Sequence, residues 1–442
     1  MDKTIPQVEQ DALAPIINPP SRAYMLTCTA LAAILGVALV TLVYQWIFGL
    51  AVTGLGTPVF WGVYIINFVF FIGISHAGTL LSAILRIMDA QWRRPFTRIA
   101  EMITICSLPF GATCVIVDMG RPDRLMNVMY YPHFTSPILW DVMCISTYMT
   151  LSCLYFYTAL IPDLAMVRDR ATSLPAWRRK IYRWAALGWD GSPEAHKFHN
   201  RLMGALSIIL LVIVVSVHTN VAFVFGMTSK PGWHTAIIGP YFVIGAAFQG
   251  LAVLATMSYL VRKLFRLQRW MTDELYQYMG KFLVALLCFW VYLTFVEYLT
   301  ALYTGEQPHM KVALINLTGA NAKLFWSMVV CCAVIPFPVL AVRKWRTPFN
   351  MAIVGIFINM GMWLERYSIV VPSGTQPYLD WGVGRYTPSP AEIMITAGWL
   401  AGFVLLLLIF VRIFPPITVW EIAEGLEPAR RETDVLKGSR RK

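Results

Sequence analysis

Ten long apolar runs, each bounded by charged, Pro-bearing or Gly-bearing segments, leave this chain few folds to choose from. They cover approximately residues 23–51, 59–87, 95–118, 136–161, 200–226, 237–263, 278–302, 321–343, 348–371 and 391–414. A backbone that crosses hydrocarbon must satisfy its own hydrogen bonds, so runs of this length predict helices spanning a core of about 30 Å. Composition agrees, because only 14% of the 442 residues are charged while 57% are hydrophobic, too little charge to coat a soluble protein of this size. Sixteen Trp and nineteen Tyr suit a protein with two membrane interfaces. The fold expected is an all-α polytopic membrane protein of about ten transmembrane helices. Residues 1–22 are polar and the first run is full length, so no cleavable leader is expected.

Lys and Arg set the orientation. Of the 36, 29 fall on one side, in residues 3–22, 86–98, 168–201, 262–281, 343–346 and from Arg412 onward. The other side holds Arg121, Arg124, Lys230, Lys311, Lys323, Arg366 and Arg385. The positive-inside rule then places both termini in the cytoplasm of a bacterial inner membrane. It also makes the net charge of +12 a topology signal rather than a nucleic-acid footprint.

A weak internal repeat organises the spans. Ile72-Gly73-Ile74-Ser75-His76-Ala77-Gly78 in the second span parallels Ile244-Gly245-Ala246-Ala247-Phe248-Gln249-Gly250 in the sixth. Ile138-Leu139-Trp140-Asp141 opens the fourth, as Leu324-Phe325-Trp326-Ser327 opens the eighth, and Asp118 in the third matches Glu297 in the seventh. The expected organisation is two parallel-repeat four-helix bundles, helices 2–5 and 6–9, flanked by helices 1 and 10. By residue, that is a cytoplasmic N-terminal segment (1–22), a first helix (23–51), a first bundle (52–230), a second bundle (231–372), a last helix (391–414) and a cytoplasmic basic tail (415–442).

Redox centres are not expected within this chain. Its eight cysteines all fall in spans and form no C-x-x-C motif, so the usual thiolate ligands of an iron–sulfur cluster or an attached haem are missing. His76 and His218 are the histidines within spans, and counting residues from the outer helix ends puts them roughly 13 Å apart in depth. A haem held between them is therefore not expected, and no metal site is expected elsewhere.

Ionisable residues within hydrocarbon are costly, and those kept tend to line cavities or proton routes. The candidates are His76, Glu101, Asp118, Asp141, His218, Glu297, Glu365 and Arg366, with solvated edges or single interhelical hydrogen bonds as the plainer readings. The stretch from Asp118 to Asp141 concentrates carboxylates, Arg121, Tyr131, His133 and Trp140 at the outer edge, with Ser136 and Pro137 placed to cap the fourth span. Oxidation of a quinol there needs proton acceptors and an apolar slot for ring and tail. Tyr64 and Asn67, three apart on one helix face, suit hydrogen bonds to the quinone head. His76 lies half a turn out of phase with that stripe.

These motifs, together with Ile161-Pro-Asp-Leu-Ala165, Ser216-Val-His-Thr219, Pro231-Gly-Trp-His234 and Gly361-Met-Trp-Leu-Glu-Arg366, resemble the NrfD/polysulfide reductase membrane-subunit family. Within it the chain is most similar to the quinol-oxidising NrfD-like subunit of bacterial alternative complex III. The resemblance implies a site for quinol, menaquinol or ubiquinol, in the first bundle near the outer face. Asp118 and Asp141 would take protons there, while Tyr64, Asn67, Arg121, Tyr131 and Trp140 contact the quinol. His76 and Glu101 would serve as relay or structural link, and His218, Glu297, Glu365 and Arg366 as a proton path. Implied partners are a periplasmic iron–sulfur subunit, multihaem cytochrome c subunits, a second NrfD-like subunit and small membrane subunits of a respiratory or photosynthetic complex. Two alternatives stay open: a sister subunit without a working quinone site, and a secondary transporter, for which helices broken at mid-membrane would speak.

Overall fold

The structure, a computed structural model, describes residues 4–376 and 382–426, with side chains throughout except at 79–81. Its principal helices, in chain order, are α1 (Ile5–Ile17), α2 (Arg22–Phe48), α3 (Val63–Ile87), α4 (Arg94–Asp118), α5 (Pro137–Arg170) and α6 (Ala176–Ala185). There follow α7 (Pro193–Gly226), α8 (Ile238–Leu264), α9 (Asp273–Thr304), α10 (Gln307–Leu317), α11 (Ala322–Ala341), α12 (Pro348–Thr375) and α13 (Pro390–Ile413). No β-strand occurs among the described residues. Nine of these helices, namely α2–α5, α7–α9, α11 and α13, are long and apolar enough to cross a membrane. The ninth expected span coincides with α12, whose 28 residues are long enough to cross while Asn350, Asn359, Glu365 and Arg366 dilute its apolar content. The chain is a multi-pass integral membrane protein.

Helix α3 is the axis of the molecule. In its apolar window 93% of residues are buried, against 11% in α2, which separates a helix packed on all sides from one turned to lipid. α3 packs on α4, α7, α8 and α12, and α8 packs in turn on α9 and α12. Glycine explains the closeness of these contacts. A Cβ on Gly78 would strike the Ala100 carbonyl of α4, and one on Gly250 would lie 2.7 Å from the Ala77 backbone nitrogen. Small residues that let helix backbones touch supply the packing that lipid-soluble helices cannot obtain from hydrophobicity. The similar Gly-bearing segments of the second and sixth spans thus face each other at the contact of α3 with α8, where Gln249 Nε2 also donates to the Phe70 carbonyl at 3.1 Å.

α2 pairs with α13, so the two helices expected to flank the bundles lie side by side. A Cβ on Gly398 would strike Ala38. In α11, Val330–Val334 widens to a π-turn just ahead of Pro336 and Pro338. A proline ring cannot donate to the preceding turn, and the helix relaxes around it.

The structure adds detail to three expectations. Residues 1–22 are more than a polar segment, because α1 buries Val8, Ala12, Leu13 and Ile16, and Asp11 accepts from Trp270 Nε1 at 2.8 Å. The segment from 415 is not a free tail at its start: Thr418, Trp420 and Glu421 are buried in the helix bundle, whereas the basic stretch 427–442 lies outside the described residues. Ser136 is the N-cap residue of α5 and Pro137 its first helical residue, as expected, although the Ser136 side chain makes no capping hydrogen bond.

Candidate functional site

The end of the bundle that carries Asp118 holds a network of mostly neutral hydrogen bonds. Gln45 is the one polar residue among the buried side chains of α2, and burial obliges it to find partners. Its Nε2 donates to the Val117 carbonyl at 3.2 Å, and its Oε1 accepts from the Tyr64 hydroxyl. One turn along α3, Asn67 Nδ2 donates to Thr396 Oγ1 at 2.8 Å, and its Oδ1 accepts from Trp363 Nε1 at 2.9 Å. Asn67 is 2% exposed, so both bonds replace water it cannot reach.

Two carboxylates sit within electrostatic reach of Tyr64, and they differ. Glu392 closes a capping box at the start of α13 and accepts from Gly54 N (2.7 Å), Ser389 N (2.8 Å) and the Tyr386 hydroxyl (2.6 Å). Burial, and then the bond to Glu392, push the Tyr386 hydroxyl well above its ordinary pKa and keep it a neutral donor. Glu392 is thereby fully engaged. Asp118, in the last turn of α4, has a buried Oδ1 with no partner among the described residues. It is the acceptor with capacity to spare.

Beside this network lies an apolar cleft of about 470 Å³ between α3, α8, α12 and α13. Phe70, Ile74, Met257 and Phe403 line it, as do Trp363 and Thr396, the two partners of Asn67. Asn359 also lines it: Nδ2 donates to the Gly355 carbonyl at 2.7 Å, leaving Oδ1 buried without a partner among the described residues. A cleft of this size and character suits a drug-sized apolar ligand with one or two polar contacts.

Midway along α3, His76 meets His218 of α7 with ring centroids 4.5 Å apart and planes at 69°. The expected separation of roughly 13 Å in depth is wrong. α3 begins at Val63, four residues later than assumed, which removes about 6 Å, and helix ends do not all stop at one level. The edge-to-face contact still leaves no gap for a macrocycle between the rings. His76 lies against the carbonyls of Ile72 (2.7 Å) and Val214 (3.3 Å), while neither His218 nitrogen has a partner among the described residues. Next to the pair, Phe242 lies 6.0 Å from His218 and beneath the Arg366 guanidinium. Arg366 is ion-paired with Glu365, which also accepts from Trp290 Nε1 at 2.5 Å.

The opposite end of the bundle is dominated by ion pairs. Arg98 bonds Glu101 (3.0 Å), Asp163 (2.8 Å) and the Ala159 carbonyl (2.9 Å), all of them buried. Glu421 receives both Arg86 and Arg93 at 2.9 Å. Glu101 therefore belongs to a structural ion cluster remote in sequence register from Asp118.

The remaining candidates disperse. Asp141 faces Asn220 of α7 and does not join the Asp118 network. Arg121 is exposed and forks onto Asp123, whose carboxyl it holds below its usual range. Tyr131 is 80% exposed and Trp140 51%, so both present a surface, not a pocket lining. Glu297 accepts from Thr235 Oγ1 at 2.9 Å and lines a cavity of about 50 Å³ with Tyr241, Asn316 and His309. At the rim of that cavity, His234, Glu306 and His309 converge, and burial together with His234 lowers the pKa of His309. Sequence reading missed Gln45, Trp363, Glu392 and Thr396. Gln45 was detectable as a lone amide in an apolar run, and Glu392 as the fourth residue of Ser389-Pro-Ala-Glu392.

Known proteins share this pattern over nearly the whole chain. A Halobacterium salinarum protein, provisionally named as a membrane subunit of dimethyl sulfoxide reductase, is 25% identical over 87% of this chain and 90% of its own. A selenate reductase subunit of Mesobacillus selenatarsenatis is 22% identical over 88% and 93%. The Hdr-like menaquinol oxidoreductase integral membrane subunit of Archaeoglobus fulgidus is 22% identical over 93% and 98%. Residues 51–377 match the family described as polysulphide reductase, NrfD, and this span takes in every helix from α3 to α12. The chain belongs to the NrfD family of membrane subunits.

Proposed function

We propose that this chain is the quinol-oxidising membrane subunit of an electron-transport oxidoreductase, with its quinol site between Asn67 and Asp118. The observation that carries this reading is the position of Asn67. Through Trp363 and Thr396 it borders an apolar cleft, and three residues away on the same helix Tyr64 leads to Gln45 and the neighbourhood of Asp118. A membrane subunit named for menaquinol among the similar proteins supports the substrate class.

Quinol oxidation releases two electrons and two protons. On this reading the ring and isoprenoid tail occupy the apolar cleft, and Asn67 fixes one ring oxygen by exchanging a bond it now makes to Trp363 or Thr396. Asp118 Oδ1 accepts the first proton, hands it to water at that face and then accepts the second in the same way, so that both protons leave by this route. The electrons leave to a partner's iron–sulfur centre, because the eight cysteines of this chain are free and scattered. Arg121, Tyr131 and Trp140 then serve that partner's docking rather than the quinol. The Lys and Arg distribution supports a periplasmic Asp118 end with both termini cytoplasmic. His76, His218, Arg366, Glu365 and Glu297 form a candidate proton route into the second half of the chain.

The outer motifs favour an assembly of the alternative complex III type, with multihaem cytochrome c partners. The similar proteins are named for other assemblies, so purification of the native complex and identification of its subunits and haems is the check on that point. The site itself is tested by Asp118→Asn in the assembled complex. Loss of quinol-dependent reduction of the partner centre, with assembly intact, is expected. Unchanged turnover would reject Asp118 as the acceptor, and quinone photolabel that avoids α3, α4, α12 and α13 would favour a sister subunit with no working site.

A further inference from the structure

The rim above the Glu297 cavity gathers three groups with lone pairs to give. His234 stands in the loop before α8, Glu306 is the N-cap residue of α10, and His309 lies in the first turn of that helix. Glu306 and His309 are three residues apart and so share a helix face. The three ligand atoms lie within 4.8 Å of one another. His309 Nε2 is 2.7 Å from His234 Nε2, and His234 Nε2 is 3.9 Å from Glu306 Oε1.

We propose that His234, His309 and Glu306 form a binding site for a divalent cation of the zinc class. A tetrahedral zinc with Zn–N of about 2.0–2.1 Å holds its nitrogens about 3.3 Å apart. The two imidazoles need to open by roughly 0.6 Å to reach that spacing, a small side-chain adjustment. Two histidines and one carboxylate with a free fourth position is a donor set that zinc accepts in open sites. His234 Nδ1 lies 3.2 Å from the Lys230 carbonyl, which can only accept, so Nδ1 carries the proton and Nε2 the lone pair. His309 Nε2, 2.7 Å away, then holds the proton of their contact and gives it up, to its own Nδ1 or to solvent, when the cation binds.

The supporting structure is rigid on both sides. Trp233, adjacent to His234, is 4% exposed, stacks on Trp61 at 5.4 Å and donates from Nε1 to the Ile369 carbonyl at 2.8 Å. α10 is pinned by Asn316, whose Nδ2 donates to the Ser368 carbonyl at 3.1 Å and to the Tyr298 hydroxyl at 3.0 Å. Ligands held this way lose little freedom on binding a metal. His309 is buried while the side chains of His234 and Glu306 are 36% and 52% exposed, so the fourth position opens to solvent. The cation would seal the cavity that contains Glu297, whose partner Thr235 follows His234 directly.

The test is a binding measurement, independent of quinol turnover. The full-length chain, purified in detergent and stripped with chelator, is titrated with Zn²⁺ by calorimetry, and bound zinc is counted by mass spectrometry. One zinc per chain is expected, with Co²⁺ in its place giving tetrahedral d–d absorption. His234→Gln and His309→Ala should each abolish stoichiometric binding. Glu306→Gln should weaken it by at least ~10-fold, since even indirect partners of metal ligands are worth about 10–100-fold. Elution volume and heat unfolding of each variant verify folding, and His234→Gln, at an exposed ring, serves if His309→Ala does not fold. A native chain that takes up no zinc at micromolar concentrations, or a His234→Gln variant that keeps it, overturns the proposal.

Discussion

The two ends of the helix bundle bury polar groups in opposite ways. At the Arg98 end, charges neutralise charges: Arg98 serves Glu101 and Asp163, and Glu421 receives Arg86 and Arg93. At the Asp118 end, amides, hydroxyls and indoles serve each other, and Asp118 has a buried oxygen without a partner and no ion pair among the described residues. A buried ion cluster whose members hold one another has little to offer a substrate. A neutral network with a spare acceptor can exchange a bond for a ligand at small cost. On the proposed reading, the contrast separates ion-paired carboxylates from Asp118, the one assigned there as proton acceptor.

Breaking the Arg98 cluster should have the largest effect. Arg98→Met strands the buried carboxylates of Glu101 and Asp163 without their cation, a loss of about 3–5 kcal/mol. We expect a lower melting temperature and a poor yield of assembled complex in thermal unfolding and size-exclusion measurements, with near-normal turnover in the complex that survives. Asp118→Asn should do the reverse. Loss of the proton acceptor is expected to slow quinol turnover by about 10²-fold or more, about 3 kcal/mol of barrier, with melting unchanged.

Sequence and structure agree where periodicity or hydropathy governs, and part where depth and azimuth do. The spans around Val63–Ile87 or Pro390–Ile413 needed only an apolar count. Asp118 and Glu101 were equally visible as charges in apolar runs, and Arg98, three residues before Glu101 on the same helix, was its legible partner. What the sequence did not show was that Asp163 would join them at the same guanidinium. Asp163 sits on a different helix, 65 residues from Arg98, and such pairing is a property of helix rotation. The meeting of His76 with His218 failed for the same reason, because residue counts from uncertain helix ends carry an error of several ångströms. Trp363 and Thr396 escaped notice because a tryptophan and a threonine in apolar helices look like packing residues until a buried amide such as Asn67 is seen between them.

The cleft offers a graded test of the neutral network. Trp363→Phe removes the indole donor to Asn67 Oδ1 while keeping most of the apolar wall. Where Asn67 turns Nδ2 from Thr396 to the ring oxygen and keeps the Trp363 bond, losing that bond, worth about 1 kcal/mol, should raise KM roughly fivefold with kcat little altered. Where the Trp363 bond is the one exchanged, KM should not rise. Asn67→Leu removes both bonds and the group assigned to the ring oxygen, and should raise KM further and lower kcat as well. If Asn67→Leu left steady-state quinol kinetics untouched, the cleft would be a lipid slot with no part in catalysis.

The smallest effect is the most discriminating. Glu101→Gln keeps an oxygen that can accept from Arg98 Nη1 at the present 3.0 Å, and it leaves the Arg98–Asp163 pair intact. Its Oε1 has no partner among the described residues, so the amide group finds room there without displacing a bond. The structural cost should therefore be about 1–2 kcal/mol, the difference between a charge-assisted and a neutral hydrogen bond in a buried site. As a member of the ion cluster, Glu101 would lower the melting temperature slightly and leave turnover per assembled complex unchanged. As a proton relay it would do the opposite: an amide cannot carry a proton, so melting would hold while proton uptake coupled to quinol oxidation fell. Measuring both on one preparation assigns Glu101 to the half of the comparison it belongs to. From the Arg98 geometry we expect the first outcome, a small drop in melting temperature with unchanged turnover.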